Sequence, residues 1–314
     1  MTSATHIVAS IATYNRPKGL ANVLDGLESQ NIPENMAFRV LIVDNSEEGN
    51  AREYVENRAK HFKYPLKYIH EKKKGIAYPR NRGLADALES NDDYIALTDD
   101  DMLLEPDWIS ALYKTAEETE AEAVIGAIKA HFPSPPPPWL SKGNFTESAD
   151  ILDQQPIEYG QTGNALLRVE VIRKFRLRFD PFFALSGGED TAFFNQLIKR
   201  GGHIVFSRNA VAYECYGPER LKLGWWMRRW YRTGNTDGFL KLQENNANVR
   251  IYFVLIVMGI FRMLIGAAGS LISLPTRMVN RFDTYEFLRI MCRGAGFLAS
   301  VFGFRFEEYK NHER

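Results

Sequence analysis

Short apolar runs and amphipathic stretches alternate along the first 130 residues. Residues 6–12 (HIVASIA) and 39–43 (RVLIV) are mostly apolar and only a few residues long. That is the pattern of strands buried on both faces. Residues 66–69, 94–97 and 123–128 read the same way. Between them, residues 17–30, 76–89 and 106–119 carry apolar positions at helical spacing, the first with Pro17 at its start. A charged helix is expected after the second strand. Repeated β-α units of this length predict an α/β fold, a mostly parallel sheet with helices on both faces. Ligands bind such sheets beyond the carboxyl ends of the strands. Three of those ends carry polar clusters: Thr13-Tyr14-Asn15-Arg16, Asp44-Asn45-Ser46 and Thr98-Asp99-Asp100-Asp101.

The pattern then changes. Residues 133–139 (PSPPPPW) predict extended polyproline, because neither a helix interior nor a central strand tolerates that run. A loop-rich region follows, with a Gly-rich turn near residue 160, helices at 169–174 and from about 190 to Arg200, and a strand at 203–206. From Glu219 the chain reads as helical, basic and aromatic. Residues 251–275 are almost wholly apolar around Arg262. They are long enough to span a bilayer, which takes about 20 apolar residues, but a central Arg costs about 2.5–3.5 kcal/mol. The expectation is an interfacial helix with Arg262, Arg277 and Arg281 toward anionic headgroups. The alternative is a buried helical hairpin. Asp283, with Glu286 three residues on, predicts the cap of a last helix ending near residue 301.

Composition adds a division. With 314 residues, 45% hydrophobic and 25% charged, the chain has the makings of a sizeable core and is not disordered. Its net charge of zero is unevenly spread. Residues 1–218 hold 24 Lys+Arg against 31 Asp+Glu, giving −7, and residues 219–314 hold 15 against 8, giving +7. The expected organisation is a catalytic body over 1–218 and a basic, apolar, membrane-proximal tail over 219–314. An acidic body argues against nucleic acid, and the tail suits an anionic membrane surface. Cys215 and Cys292 cannot build a disulfide framework, so a reducing compartment is expected. The first residues lack a basic start followed by an apolar core, so no signal peptide is expected.

The triple aspartate is the sharpest chemical signal. Carboxylates at a strand end place hard oxygen ligands in the ligand crevice, which suits Mg²⁺ or Mn²⁺ held together with substrate phosphates. A solvated turn ahead of the next helix fits the same residues. Phosphate loops, zinc spacings and a serine elbow are all absent from the sequence. Glu189-Asp190 after Gly187-Gly188 reads by itself as a helix cap before it reads as a catalytic acid pair. His6, His70 and His203 look like strand residues, and Lys72-Lys73-Lys74 like a solvated loop face.

Five ordered stretches, VASIATYNRP, LIVDNS, GIAYPRNRGL, YIALTDDDM and GGEDTAFF, resemble glycosyltransferase family 2 over residues 5–235, and within it the bacterial exopolysaccharide (succinoglycan-type) β-glucosyltransferases. The resemblance implies the GT-A fold, a nucleotide-sugar donor and a divalent metal, Mn²⁺ or Mg²⁺. It places Thr13, Asn15, Asp44, Arg80 and Asn81 beside the nucleotide. It makes Asp99 the first acid of a D-x-D motif, near the ribose and metal, and Asp101 the metal ligand, with Asp100 between them. Asp190 is implied as general base, with Glu189 beside it. Pro79 stands where the family often has a small residue. Of the processive synthases' Q-x-x-R-W, only Arg229-Trp230 is kept.

The implied chemistry is an inverting transfer of a hexose, glucose first, from a UDP-sugar to a saccharide or lipid-linked oligosaccharide at the cytoplasmic face of the cell membrane. Arg228 or Arg229 would clamp the phosphates. Gly187 and Gly188 would let the backbone approach the acceptor, and Trp139 would offer it an aromatic face, although such Trp residues are more often core. Two rivals come from other classes: a sugar-phosphate nucleotidyltransferase, and a non-catalytic saccharide-binding subunit of a membrane assembly complex.

Overall fold

The apolar runs form strands covered by helices on both sides, and alternate residues serve opposite cores. On the first strand Ile7, Ala9 and Ile11 join one cluster with Leu20, Leu24 and Trp108. Val8 joins the other, with Leu84, Phe179 and Phe193. This period of two is why the strands show no polar alternation in sequence. The fold is taken from a computed structural model that describes residues 4–143, 145–146, 151–273 and 281–309.

In chain order the elements are β1 (Thr5–Thr13), α1 (Pro17–Glu28), β2 (Met36–Asp44), α2 (Arg52–Ala59), β3 (Leu66–His70), α3 (Ala77–Glu89), β4 (Tyr94–Asp99) and β5 (Met102–Leu104). Then come α4 (Trp108–Thr119), β6 (Ala123–His131), α5 (Pro138–Lys142), β7 (Asn164–Arg168), α6 (Val169–Lys174), α7 (Glu189–Lys199) and β8 (Ile204–Cys215). The tail holds α8 (Leu223–Glu244), α9 (Val249–Ile272) and α10 (Arg281–Val301). The sheet order is β3-β2-β1-β4-β7-β6-β8-β5.

Strands β3, β2, β1 and β4 are parallel, as the β-α repeats predict. The other half is mixed: β7 runs antiparallel to β4 and β6, and β5 antiparallel to β8. In the parallel half, register aligns Thr13 with Asp44, and Ala12 with Asp99. Three polar clusters therefore meet at one edge.

The proline run is non-helical until Pro138 opens α5. Proline is tolerated there because a first-turn N–H has no intrahelical acceptor. Pro79 obeys the same rule as the third residue of α3.

In the tail, α10 packs against α8 and α9. The helix already runs from Arg281, so Asp283 is inside it and is not its N-cap. Arg277 lies outside the described residues, as do the side chains of Arg281 and Asp283. Arg262 corrects the expectation of an outward, headgroup-facing side chain. Its guanidinium sits over the Phe297 ring of α10, 4.7 Å from the centroid, where the ring's negative face partly replaces water. α9 is long and apolar enough to cross a membrane by length and composition, with a mean hydropathy of 2.2 over an 18-residue window. Its outer side leaves Phe253, Phe261 and Leu264 about two-thirds exposed.

Candidate active site

The strand ends, the start of α7 and the start of α8 enclose one cleft of about 690 Å³, a size suited to a small organic ligand. Six arginines line it (Arg16, Arg80, Arg220, Arg228, Arg229 and Arg232), together with all three aspartates of the β4–β5 connection. A site this rich in guanidinium groups suits a polyanion such as a diphosphate.

Each aspartate is held by arginine. Asp99 Oδ1 accepts from Arg80 Nη2 at 2.8 Å. Asp100 accepts from Thr13 Oγ1 at 2.8 Å and from Arg16 at 3.0 Å. Asp101 Oδ2 accepts from Arg16 at 2.9 Å and Arg220 at 3.0 Å. Asp100 is buried, and burial pushes its carboxyl up to about 6 against the pull of Arg16. Arg228 and Arg229 are ion-paired to nothing among the described residues, and Arg229 stacks on Trp225, 5.3 Å from the ring centroid.

A divalent cation fits the donor chemistry of Asp99 and Asp101. Both are hard carboxylates on the cleft wall, and Asp99 Oδ2 and Asp101 Oδ1 have no hydrogen-bond partner among the described residues. No ready cage of three or more metal-ligating side chains is present among those residues. Substrate phosphates would have to supply the remaining ligands.

Across the cleft, α7 begins at Glu189. Gly187 and Gly188 precede it with φ of +77° and +91°, the left-handed region that favours glycine. Their close approach is to α8, not to open space. A Cβ on Gly187 would lie 2.5 Å from Arg232 Nη1, and one on Gly188 2.1 Å from Thr236 Cγ2. Asp190 Oδ1 takes the Thr191 N–H at 2.7 Å, while Oδ2 has no partner among the described residues.

Glu189 is buried and bonded through Oε1 to Arg80 Nη1, and its Oε2 has no partner among the described residues. Burial pushes its carboxyl up to about 7. Arg80 therefore bridges the β4 acid and the α7 acid, and those two carboxylates hold it firmly protonated although burial opposes the charge.

Several expected site residues are occupied elsewhere. Asn81 grips the backbone of Phe179, accepting its N–H at 2.9 Å and donating to its carbonyl at 2.8 Å; it fixes α3 to the loop ahead of α7 and does not line the cleft. Asp44 is buried and accepts from Ser46 N, Ala51 N and Tyr68 Oη, so it shapes the turn after β2. Asn15 pairs with Asn50 Nδ2 at 2.9 Å. Trp139 stacks on Tyr285 at 5.1 Å and meets Trp226 edge-on; it belongs to an aromatic core between α5 and the tail. Thr13, Arg80, Asp99, Asp100, Asp101, Gly187, Gly188, Glu189, Asp190 and Arg229 do line the cleft.

Other lining residues take no role from the sequence, although Asn45 stands in one of the strand-end clusters. Asn45 organises the loop before α3, donating to the Glu71 and Lys73 carbonyls and accepting from Gly75 N. Glu308 pairs with Arg232 at 2.6 Å, and Tyr309 N donates to the Leu185 carbonyl at 2.9 Å. The C-terminal segment thus closes one wall.

The succinoglycan biosynthesis protein ExoM of Rhizobium meliloti (strain 1021) is 35% identical over 239 residues, 76% of this chain and 76% of that protein. S. aureus TarS 1-349 in complex with UDP-GlcNAc has a similar fold, with a TM-score of 0.55 at 14% identity over 91% of this chain and 90% of that one. GalNAc-T7 with UDP, GalNAc and Mn2+ gives 0.54 at 13% identity over 70% of this chain and 45% of that one. The model of glycosyl transferase family 2 matches residues 9–176, more than half of the sequence. On that match and the ExoM likeness, the chain belongs to glycosyl transferase family 2 and is a glycosyltransferase.

Proposed function

We propose that the enzyme transfers a hexose, glucose as the first candidate, from a UDP-sugar to a lipid-linked saccharide during exopolysaccharide assembly, with inversion at the anomeric carbon. The observation that carries this is a cleft lined both by the β4–β5 acids and by Asp190 at the start of α7. The name of ExoM supports the pathway, and the UDP-GlcNAc complex of TarS supports the donor class.

Asp99 and Asp101 would hold a divalent cation, which when bound supplies Lewis-acid neutralisation of the departing diphosphate. Arg228 and Arg229 bind the same phosphates with fixed charge. Asp190 takes the proton of the acceptor hydroxyl as its oxygen attacks the anomeric carbon. The bond to the diphosphate breaks on the opposite face, so an α-linked donor gives a β-linked product. Glu189, buried against Arg80, keeps α7 in register with the acids.

The test is binding of UDP in the presence of Mn²⁺, read by calorimetry and by thermal protection. Asp101→Ala is expected to weaken it by about tenfold or more, the loss of a charge-assisted contact. Equal affinity in wild type and variant would remove Asp101 from the donor site.

We also infer that the tail rests on the membrane, peripherally or monotopically, on the cytoplasmic side where nucleotide sugars are made. The exposed apolar side of α9 and the +7 charge of residues 219–314 support this. Flotation with anionic liposomes is expected to carry the wild type upward. Phe261→Glu with Leu264→Glu is expected to leave most of the protein at the bottom, since acidic side chains oppose both burial and surface charge.

A further inference from the structure

Arg220 lies in the short 3-10 turn Pro218–Leu221 after β8, and two carboxylates share its guanidinium. Nη2 donates to Asp101 Oδ2 at 3.0 Å and Nη1 to Glu214 Oε1 at 2.7 Å. The rings of Tyr216 and Trp225 flank it, 5.6 and 5.5 Å from Cζ. The side chain is 15% exposed and lines the cleft. The same Asp101 oxygen also accepts from Arg16 at 2.9 Å. One oxygen of the acid assigned to the cation therefore carries two guanidinium groups. A divalent cation can approach the open Oδ1, but it meets like charge beside Oδ2, and gripping both oxygens means displacing at least one guanidinium.

Displacement is cheap in one respect. Arg220 keeps Glu214, so it loses a hydrogen bond without losing its counter-charge. Its backbone carbonyl is fixed independently by Trp226 Nε1 at 2.8 Å. The guanidinium can turn about the Glu214 contact while the turn stays in place, and Arg228 and Arg229 lie along the same wall.

We propose that Arg220 is a transferable counter-ion. It holds Asp101 while the cleft has no donor, yields that carboxylate to a divalent cation, and turns to the oxygens of the donor's diphosphate. This rests on the donor-site reading given above. It makes cation and nucleotide binding mutually reinforcing. The cation alone meets the charge of an arginine that has nowhere else to turn, whereas with a diphosphate present the arginine gains a new partner.

The test needs no turnover. Mn²⁺ alone, and UDP at saturating Mn²⁺, are titrated calorimetrically into wild type, Arg220→Gln and Arg220→Lys. In Arg220→Gln, Mn²⁺ alone is expected to bind about tenfold more tightly and UDP about tenfold more weakly, one charge-assisted hydrogen bond in each direction. Arg220→Lys keeps the charge but cannot fork between two carboxylates, so both shifts are expected with the same signs and smaller size. It also carries the test should the glutamine variant fail to fold. Mn²⁺ affinity unchanged or reduced, or UDP affinity unchanged, would overturn the proposal while wild-type binding left the donor site standing. Failure of the wild type itself to bind UDP with Mn²⁺ would overturn both.

Discussion

Asp190→Asn is expected to lower kcat by about 10²–10⁴-fold, the usual contribution of a positioned general base. UDP affinity should hardly change. Asparagine keeps an Oδ1 that can accept the Thr191 N–H, so the first turn of α7 is preserved. It also keeps the size of the side chain, so the Gly187-Gly188 approach to α8 is undisturbed. Only the ability to take a proton is removed. The measurement is single-turnover transfer to a saccharide acceptor beside calorimetric UDP binding. Full turnover in the variant would assign the proton to another group. A parallel loss of UDP binding would show that Asp190 acts on the donor.

The largest effect on stability is expected from Arg80→Met. Arg80 joins Glu189 and Asp99 and is nearly buried with Glu189. Removing the cation leaves a buried carboxylate without its charge partner, which costs about 3–5 kcal/mol. The loss should depend on pH. Burial raises Glu189 from 4.5 to about 7, so between those values the folded protein binds more protons than the unfolded chain. Its contribution to stability is therefore fully present below about 4.5 and is lost as pH rises through about 7. Urea unfolding should show a larger difference between wild type and Arg80→Met at pH 7.5 than at pH 5. Glu189→Gln should flatten the wild-type slope in that window. A difference independent of pH would mean that Glu189 is not the group exposed to the loss.

Much of the fold is legible in sequence because its parallel half obeys local rules. β1, β2 and β4 carry unbroken apolar runs at 7–9, 40–43 and 94–97, and α1 and α4 show helical spacing, so each appears where the pattern puts it. The mixed half depends on partners far along the chain. β5 has only three residues, and it is a strand because β8 is there to pair with it. β7 follows a glycine-rich turn and takes its direction from β4 and β6.

The site divides in the same way. The three aspartates announce themselves because they follow an apolar strand directly, and Glu189-Asp190 because two glycines precede it. Asp44, Asn15 and Asn81 also sit in polar clusters, yet neighbouring groups engage them. Arg220 reaches Asp101 across 119 residues, and Arg232 meets Glu308 near the far end of the chain. No local pattern encodes such meetings.

The pairing of β5 with β8 bears on how the molecule is made. Met102 lies opposite Glu214, and the Asp101 carbonyl accepts from Cys215 N. A nascent chain has no edge to receive β5 until residue 215 has left the ribosome. Asp99 and Asp100 already have Arg80, Thr13 and Arg16 by then, but Asp101 has Arg16 alone until Arg220 arrives. The parallel half can settle early, while the donor-gripping corner is completed late. Slow synthesis between residues 102 and 215 would lengthen that vulnerable interval, so early-terminated fragments should resemble a sheet without a working mouth.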